Sequence, residues 1–277
     1  MAYRTFLLAL MCCSAFADGA LPAPFLFADG RRVRTPADWA ERREEIKAML
    51  LKEQYGQMPP APGNVTAAEA SQEEIQNDGL TRSQSLQITL GPRDSIRMKV
   101  ERSFPVGNGP FPVIVRVGLG CPVIGELNSR GYALVCFEHR DLDPETEGSD
   151  TAGPAQLAYP AYDWGSVAVW AWGASRVLDY LLALPEVDPK ATIVTGHSRT
   201  GKAALLAGAL DERFTMVAPN GSGCGGVSCY RYQGKGSEDL ELITRPSRFA
   251  SWFQKDFRRY AGQEETLPFD QHFLRAL

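Results

Sequence analysis

"TIVTGHSRTGKAALLAGALDERF", residues 192–214, joins a β-branched run, a glycine-flanked serine and a stretch rich in alanine and leucine. This order predicts a buried strand, a sharp turn at Ser198 and a helix from Arg199. In a parallel α/β sheet, such a turn presents its residue at the carboxyl edge, where ligands bind. The first amides of the helix favour negative charge at the same place. The stretch therefore indicates an α/β fold with a serine at its ligand-binding edge.

The glycines around Ser198 approximate the nucleophile-elbow pattern G-x-S-x-G. This chain has G-H-S-R-T-G, with Thr200 where the second glycine is expected. A serine ahead of a helix also serves as an ordinary N-cap, and the motif alone leaves that alternative open. The preceding strand and the following helix favour the nucleophile.

Strands and helices alternate through the second half of the chain. Residues 163–184 predict a long apolar helix with Asp163 as its cap. Continuous apolar runs predict strands buried on both faces at 111–120, 131–140, 191–196 and 214–219. Alternation of this kind predicts a mostly parallel sheet flanked by helices.

The region before these strands has a different pattern. Apolar residues alternate over 86–90 and 96–100 around the turn "GPRD", which predicts an antiparallel hairpin. Residues 36–54 predict a helix with Thr35 as N-cap, and residues 60–79 predict an exposed linker.

The first residues have the pattern of a secretory signal peptide. Arg4 precedes a short apolar run, and Ala15-Phe16-Ala17 fits a cleavage site. A lipid anchor at Cys12 is the alternative, although Met11 is a poor residue before a lipidated cysteine. We therefore expect a secreted or periplasmic protein with no membrane contact after signal removal. The predicted organisation is a signal peptide over 1–17, a helix and linker over 18–79, and an α/β domain over 80–277.

Composition excludes several functional classes. The chain has 277 residues, 44% of them hydrophobic, which suffices for a sizeable core. Its net charge of −4 and the absence of any long basic run argue against a nucleic-acid partner. Three histidines without zinc-site spacing imply no metal, and no cofactor is expected. Beyond the signal peptide lie four cysteines, either two disulfides in one of three pairings or small buried side chains: Cys121, Cys136, Cys224 and Cys229.

"GHSRTGK" resembles the G-C-S-R-x-G-K signature of the glucuronoyl esterases, carbohydrate esterase family 15. The resemblance runs from about Pro112 to the end and includes "PNGSGCGG" (219–226) and "SWFQKDFRRYAGQEETLPFDQH" (251–272). It implies an α/β-hydrolase fold and a secreted serine carboxylic-ester hydrolase. The implied substrates are carbohydrate esters of plant cell walls, above all 4-O-methyl-glucuronoyl esters of xylan. His197 replaces a common cysteine, which removes one disulfide partner known in some members.

The resemblance also implies roles for five residues. Ser198 would attack the ester carbonyl, and Arg199 would stabilise the oxyanion through its backbone N–H and its guanidinium. Lys202 would reach hydroxyls of a glucuronate ring, with a solvated helix lysine as the alternative. Glu241 would be a polar residue that binds sugar. Trp252 would line the pocket rim or be a core tryptophan on a helix over 247–260.

The catalytic acid and base are harder to place. His272 is the only histidine after Ser198, and it lies in a segment that is structural in the family. His197 adjoins Ser198 on a strand, so its side chain is expected on the opposite face. Gly221 occupies the position at which fungal members carry a glutamate. We therefore expect that the α/β domain is incomplete at its carboxyl end, lacks its acid and histidine, and has negligible esterase activity.

Two other functions are compatible with these residues. One is an acetyl xylan esterase-like deacetylase, which differs in the side of the ester that carries the sugar. The other is a non-catalytic carbohydrate-binding relative, whose sugar affinity a Ser198→Ala substitution would leave unchanged. A truncated chain with neither function is a third alternative.

Overall fold

A mixed sheet of eight strands organises the computed structural model, which describes residues 21–77, 79–146, 148–149 and 151–277. The strand order is β1-β3-β4-β6-β5-β7-β8. The eighth strand, β2, is not part of this order and pairs with β3. The strands are β1 (Thr66–Glu69), β2 (Glu74–Gln76), β3 (Thr81–Leu90), β4 (Ile96–Pro105), β5 (Phe111–Val117), β6 (Ala133–Phe137), β7 (Val187–His197) and β8 (Met216–Asn220).

Helices cover the sheet and connect its strands. Short 3₁₀-helices lie at Pro92–Asp94, His139–Asp141, Lys255–Tyr260 and Glu264–Thr266. The α-helices are α1 (Pro36–Leu50), α2 (Ile124–Ser129), α3 (Pro154–Ala158), α4 (Ser166–Leu181), α5 (Arg199–Leu210), α6 (Leu240–Ile243), α7 (Pro246–Phe249) and α8 (His272–Ala276).

The parallel part of the sheet contains the four strands predicted from apolar runs. The prediction that the strand at 214–219 is buried on both faces is wrong, because β8 lies at the edge of the sheet and its residues are exposed or half-buried. β5 pairs in parallel with β6 on one side and with β7 on the other, and β7 pairs in parallel with β8. The chain therefore reverses its direction of travel across the sheet at β5, which makes the carboxyl ends of β5 and β7 a topological switch point. The antiparallel hairpin of β3 and β4 is confirmed, and it joins this part through β4 and β6.

α4 lies inside the molecule, as expected of a helix that is apolar on nearly all sides. It begins at Ser166 with Gly165 as N-cap, so the prediction of Asp163 as the cap is wrong. The Asp163 carboxylate instead accepts a hydrogen bond from the Gln57 backbone N–H at 2.7 Å. Position 165 requires glycine, because a Cβ there would lie 2.6 Å from the Trp252 carbonyl oxygen.

The predicted linker over 60–79 is partly wrong. Within it, β1 and β2 pair with β3 in antiparallel register. All seven residues of these two strands are exposed, so no apolar alternation marks them in the sequence. Backbone hydrogen bonds to β3, rather than burial, hold them in place.

The helix predicted over 36–54 is confirmed as α1 followed by a π-helix over Leu51–Tyr55. The predicted helix over 247–260 is wrong, because the chain leaves α7 at Phe249 and becomes helical again only at Lys255. Two carbonyl groups in the segment between Phe249 and Lys255 accept hydrogen bonds from α4 instead of continuing a helix. The oxygens of Ser251 and Trp252 accept from the first backbone N–H groups of α4, at 2.7 and 3.2 Å. These bonds satisfy amides that a helix start leaves free.

The predicted signal peptide over 1–17 lies outside the described residues. No helix in the described ranges is long and apolar enough to cross a membrane. The four cysteines at 121, 136, 224 and 229 are free thiols in the structure. Cys136 and Cys224 are buried, as small apolar side chains would be.

Candidate active site

Ser198 stands at a sharp bend between β7 and α5. Its backbone has φ 56° and ψ −123°, a left-handed conformation that is rare for residues other than glycine. The bend is fixed because the Ser198 N–H donates to the Asn220 carbonyl at 2.9 Å and its carbonyl accepts from the Lys202 N–H at 3.1 Å. Such strain is concentrated at functional sites. The predicted strand, turn and helix around Ser198 are confirmed.

Two glycines let the chain close tightly around this bend. A Cβ at Gly196 would lie 2.2 Å from the Thr200 carbonyl oxygen, and one at Gly201 would lie 2.8 Å from the Asn220 carbonyl oxygen. Thr200 occupies the position of the missing second glycine. Its hydroxyl accepts from the His197 N–H at 3.0 Å and donates to the His197 carbonyl at 2.9 Å. Thr200, where the sequence departs from G-x-S-x-G, therefore stabilises the turn through two hydrogen bonds.

Ser198 opens onto a cavity of about 460 Å³ at the switch point of the sheet. Its walls come from the ends of β5, β6 and β7 and from the segment after β8. The lining residues are Arg116, Val117, Gly118, Leu119, Glu138, His139, Arg140, His197, Ser198, Arg199, Thr200, Glu238, Arg248, Phe249 and Trp252. The serine and its neighbouring guanidinium thus share one pocket of substrate size.

Arg199 forms an ion pair at the cavity wall. Its Nη1 lies 2.9 Å from Oε2 of Glu145, and the other carboxylate oxygen of Glu145 accepts a hydrogen bond from Nε1 of Trp252. The Glu145 side chain is 6% exposed, against 37% for that of Arg199. Burial raises the pKa of Glu145, while the Trp252 hydrogen bond and the charge of Arg199 act in the opposite direction.

Lys202 is buried, so the alternative of a solvated helix lysine is wrong. Its ammonium donates to the carbonyls of Ser222 and Cys224, at 2.6 and 2.7 Å. It also lies 3.6 Å from a Glu238 carboxylate oxygen and 5.3 Å from the centre of the Trp252 ring. Burial lowers the pKa of Lys202. Lys202 is absent from the described lining, so its partners here are protein groups rather than the open cavity.

Trp252 combines the two alternatives predicted for it. It lines the cavity and is only 4% exposed, with its ring 4.1 Å from that of Phe249. Glu241 lies on α6 with an exposed side chain and is absent from the described lining. Glu238, three residues earlier in the same acidic stretch, lines the cavity instead.

The three histidines lie in different surroundings. His197 is exposed and lines the same cavity as Ser198, so the prediction of opposite faces is wrong. The reason is that Ser198 has left strand geometry, and the alternation of a strand no longer applies. His139 is buried edge-on against Trp170, with its pKa lowered to about 4, first by burial and then by Arg140, Arg199 and Arg116.

His272 lies elsewhere in the described structure, where its Nε2 pairs with the Pro22 carbonyl at 2.8 Å. Within the described residues, no histidine forms a hydrogen bond with the Ser198 hydroxyl.

Sequence reasoning missed two residues that shape the site. Arg116, at the end of β5, donates to the carbonyls of Gly118 and Leu119 at 2.6 and 3.0 Å and so fixes one wall of the cavity. The sequence did carry a signal for Arg116, because it lies near the carboxyl end of a predicted parallel strand, where ligands bind. Glu145 lies in "DPETEG", a stretch that has the composition of a solvated loop. No feature of the sequence indicates that Glu145 contacts Arg199.

Comparison with known proteins gives one consistent result. The family model described as glucuronyl esterase, fungi, matches residues 88–277. The 4-O-methyl-glucuronoyl methylesterase of Podospora anserina is 32% identical in an alignment 267 residues long, which covers 92% of this chain and 52% of that protein. That of Schizophyllum commune is 32% identical in an alignment 277 residues long, which covers 95% of this chain and 66% of that protein. The chain thus spans half to two thirds of these relatives.

Solved structures agree with the sequence relatives. A glucuronoyl esterase from Solibacter usitatus superposes with a TM-score of 0.80 at 29% identity, over 92% of this chain and 76% of that one. A family 15 carbohydrate esterase from Caldicellulosiruptor kristjansonii gives a TM-score of 0.75 at 32% identity, over 92% and 71% of the two chains. The fold is that of an α/β-hydrolase, and the chain belongs to the glucuronoyl esterase family.

Proposed function

We propose that this protein cleaves glucuronoyl esters of plant cell-wall carbohydrate, with Ser198 as the nucleophile. The observation that carries the proposal is the strained Ser198, exposed at a cavity that it shares with the Arg199 guanidinium. Membership of the glucuronoyl esterase family supports it. So do the names of the relatives, which are 4-O-methyl-glucuronoyl methylesterases.

The chemistry would proceed in two steps. Ser198 Oγ forms a bond to the ester carbonyl carbon and gives its proton to a base from solvent, since no described histidine bonds to it, and the carbonyl electron pair moves to oxygen. That oxygen faces the first amides of α5 and the Arg199 guanidinium, which stabilise the negative charge. The alcohol leaves with a proton, and water then hydrolyses the glucuronoyl-serine ester to the free acid.

The relatives support this substrate class. The glucuronoyl esterase of Sporotrichum thermophile, 27% identical with a TM-score of 0.77, has been solved in complex with methyl 4-O-methyl-β-D-glucopyranuronate. The described cavity lining mixes guanidinium groups with carboxylates and two aromatic rings, which suits a ligand with many hydroxyls. Export of the protein would bring it to such polymers. In this proposal Trp252 forms the rim of the sugar site, and Lys202 supports it through the carbonyls of Ser222 and Cys224.

The test is a comparison of two esters. The purified chain, at a concentration equal to that of the substrate, is incubated with benzyl glucuronate or with acetylated xylan. Because no histidine of the described residues bonds to the Ser198 hydroxyl, we expect negligible turnover and only a slow release of benzyl alcohol, no more than one molecule per chain. This release should disappear in Ser198→Ala and persist in Ser129→Ala, a control at an exposed residue of α2. Alcohol release that survives Ser198→Ala would refute the proposal. Faster release of acetate than of benzyl alcohol would favour the deacetylase.

A further inference from the structure

We propose that Glu145 is a positioning residue that holds the Arg199 guanidinium beside the Ser198 hydroxyl. The proposal rests on the proposed function, because it concerns stabilisation of the oxyanion formed there. Glu145, Arg199 and Trp252 come from three separate segments of the chain, and two contacts of a single carboxylate join them.

One end of this arrangement, Glu145, is fixed in place. Glu145 has a left-handed backbone, with φ 50°, and its N–H donates to the Asp143 carboxylate at 2.9 Å. The Asp143 carbonyl in turn accepts from Trp170 Nε1 at 3.1 Å, inside the core. On the other side, the indole of Trp252 donates to Glu145 and is itself buried. The carboxylate is therefore held from both sides by groups that cannot move freely.

The other end, the Arg199 guanidinium, would otherwise move. Arg199 is the first residue of α5, and its side chain is more than a third exposed. An arginine side chain of this kind has many accessible rotamers unless a partner fixes it. Glu145 engages Nη1, and a guanidinium has five N–H donors, so other donors remain to face an oxyanion. A group oriented before the reaction stabilises the transition state without reorganisation.

The charge of the buried Glu145 carboxylate also favours the contact with Arg199. Burial disfavours the charged form of Glu145, so a carboxylate kept at this depth needs a cation as its partner. Arg199 is the cation whose ion pair with Glu145 the structure shows. The pair therefore links the ionisation of Glu145 to the orientation of Arg199.

Glu145→Gln tests this with little change of shape. The amide oxygen can still accept from Trp252, while the ion pair with Arg199 is lost. Arginine side-chain NMR then reports rotation of the guanidinium, with the Arg199 signals identified by their loss in Arg199→Lys. We expect slow rotation in the native chain and fast rotation in Glu145→Gln. Glu186→Gln is the matched control, because it removes a carboxylate 2.7 Å from Arg82, outside the described cavity lining. Equal rotation rates in the native chain and Glu145→Gln would overturn the proposal.

A second measurement follows the consequence for Ser198. The rate constant for phosphonylation of Ser198 by a fluorophosphonate is read from intact mass. We expect Glu145→Gln to lower it about tenfold, which is less than the roughly hundredfold or greater loss on removing an oxyanion donor, because Arg199 itself remains. In an Arg199→Lys background the same change is expected to alter it less than twofold. A tenfold loss in both backgrounds would mean that Glu145 acts through the fold rather than through Arg199, and would overturn the proposal.

The two measurements also separate this inference from the proposed function. Labelling of the native chain that does not exceed labelling of Ser198→Ala counts against the nucleophile, while the NMR measurement still decides whether Glu145 fixes Arg199. If Glu145→Gln does not fold, Trp252→Phe removes the indole donor while an aromatic ring stays against Phe249. We then expect faster rotation of Arg199, and unchanged rotation would contradict the proposal.

Discussion

The Thr200 hydroxyl is bonded to both backbone groups of His197, the residue immediately before the proposed nucleophile. It accepts from the His197 N–H at 3.0 Å and donates to the His197 carbonyl at 2.9 Å. Thr200 is 8% exposed, and its two bonds to His197 are partly buried. One side chain therefore satisfies the strand end and ties it to the start of α5.

Thr200→Val removes this hydroxyl and keeps the shape of the side chain. Leaving a buried group unpaired costs about 1–3 kcal/mol, and these two groups are only partly buried, so we expect a total loss of unfolding free energy of about 1–2 kcal/mol. Urea unfolding followed by circular dichroism measures it. Thr200→Ser keeps the hydroxyl and is the control, with an expected loss of less than half as much. Equal losses in the two variants would show that the methyl group, not the hydroxyl, matters.

Gly196→Ala tests the close approach under the turn. A Cβ there would lie 2.2 Å from the Thr200 carbonyl oxygen, and backbone cannot give way as a side chain can. We expect overpacking to cost about 3 kcal/mol or more, seen as a large fall in Tm. Gly234→Ala is the control, because its nearest neighbour is the Ser237 hydroxyl at 3.3 Å in an exposed loop. A Tm that changes equally little in both variants would contradict the described turn.

Lys202→Met tests the buried ammonium. The substitution leaves the carbonyls of Ser222 and Cys224 without their donor, and we expect a loss of about 2–4 kcal/mol in unfolding free energy. Lys52→Met, at a lysine whose side chain is 78% exposed, is the control and is expected to change it by less than about 0.5 kcal/mol. Similar small effects in both variants would mean that Lys202 is free to turn toward a ligand.

The pH dependence of stability tests the surroundings of His139. Burial lowers its pKa from 6.5 to about 4, so between these values the unfolded chain binds a proton that the folded chain does not. Stability therefore falls as pH decreases from 6.5 to 4, by up to about 3 kcal/mol for this residue. His139→Phe removes that contribution. We expect the difference in unfolding free energy between native and variant to change by this amount between pH 7 and pH 4, and a constant difference would contradict the assignment.

Much of the fold could be predicted because burial leaves a pattern. β5, β6 and residues 191–196 of β7 are mostly apolar, and α4 is apolar on nearly every side, because these elements lie inside the molecule. The turn at Ser198 could be predicted because its conformation requires small residues at fixed distances. β1 and β2 could not, because exposed strands held by backbone bonds leave no such pattern.

The site was predicted in part, for a related reason. Ser198 and Arg199 adjoin in sequence and share the cavity, so one motif finds both. Glu145 reaches Arg199 from a separate loop, and its contact depends on the path of residues 143–149 rather than on local composition. The break in the predicted helix over 247–260 has a similar origin, because the carbonyls of Ser251 and Trp252 serve the distant start of α4.

Detection of a covalent intermediate on Ser198 decides whether this residue is the nucleophile. The chain is mixed with benzyl 4-O-methyl-glucuronate, quenched in acid after short intervals, digested and mapped by mass spectrometry. The account predicts a 4-O-methyl-glucuronoyl ester on the peptide that contains Ser198, and no such adduct in Ser198→Ala. An adduct on another residue, or hydrolysis that continues in Ser198→Ala, would contradict it.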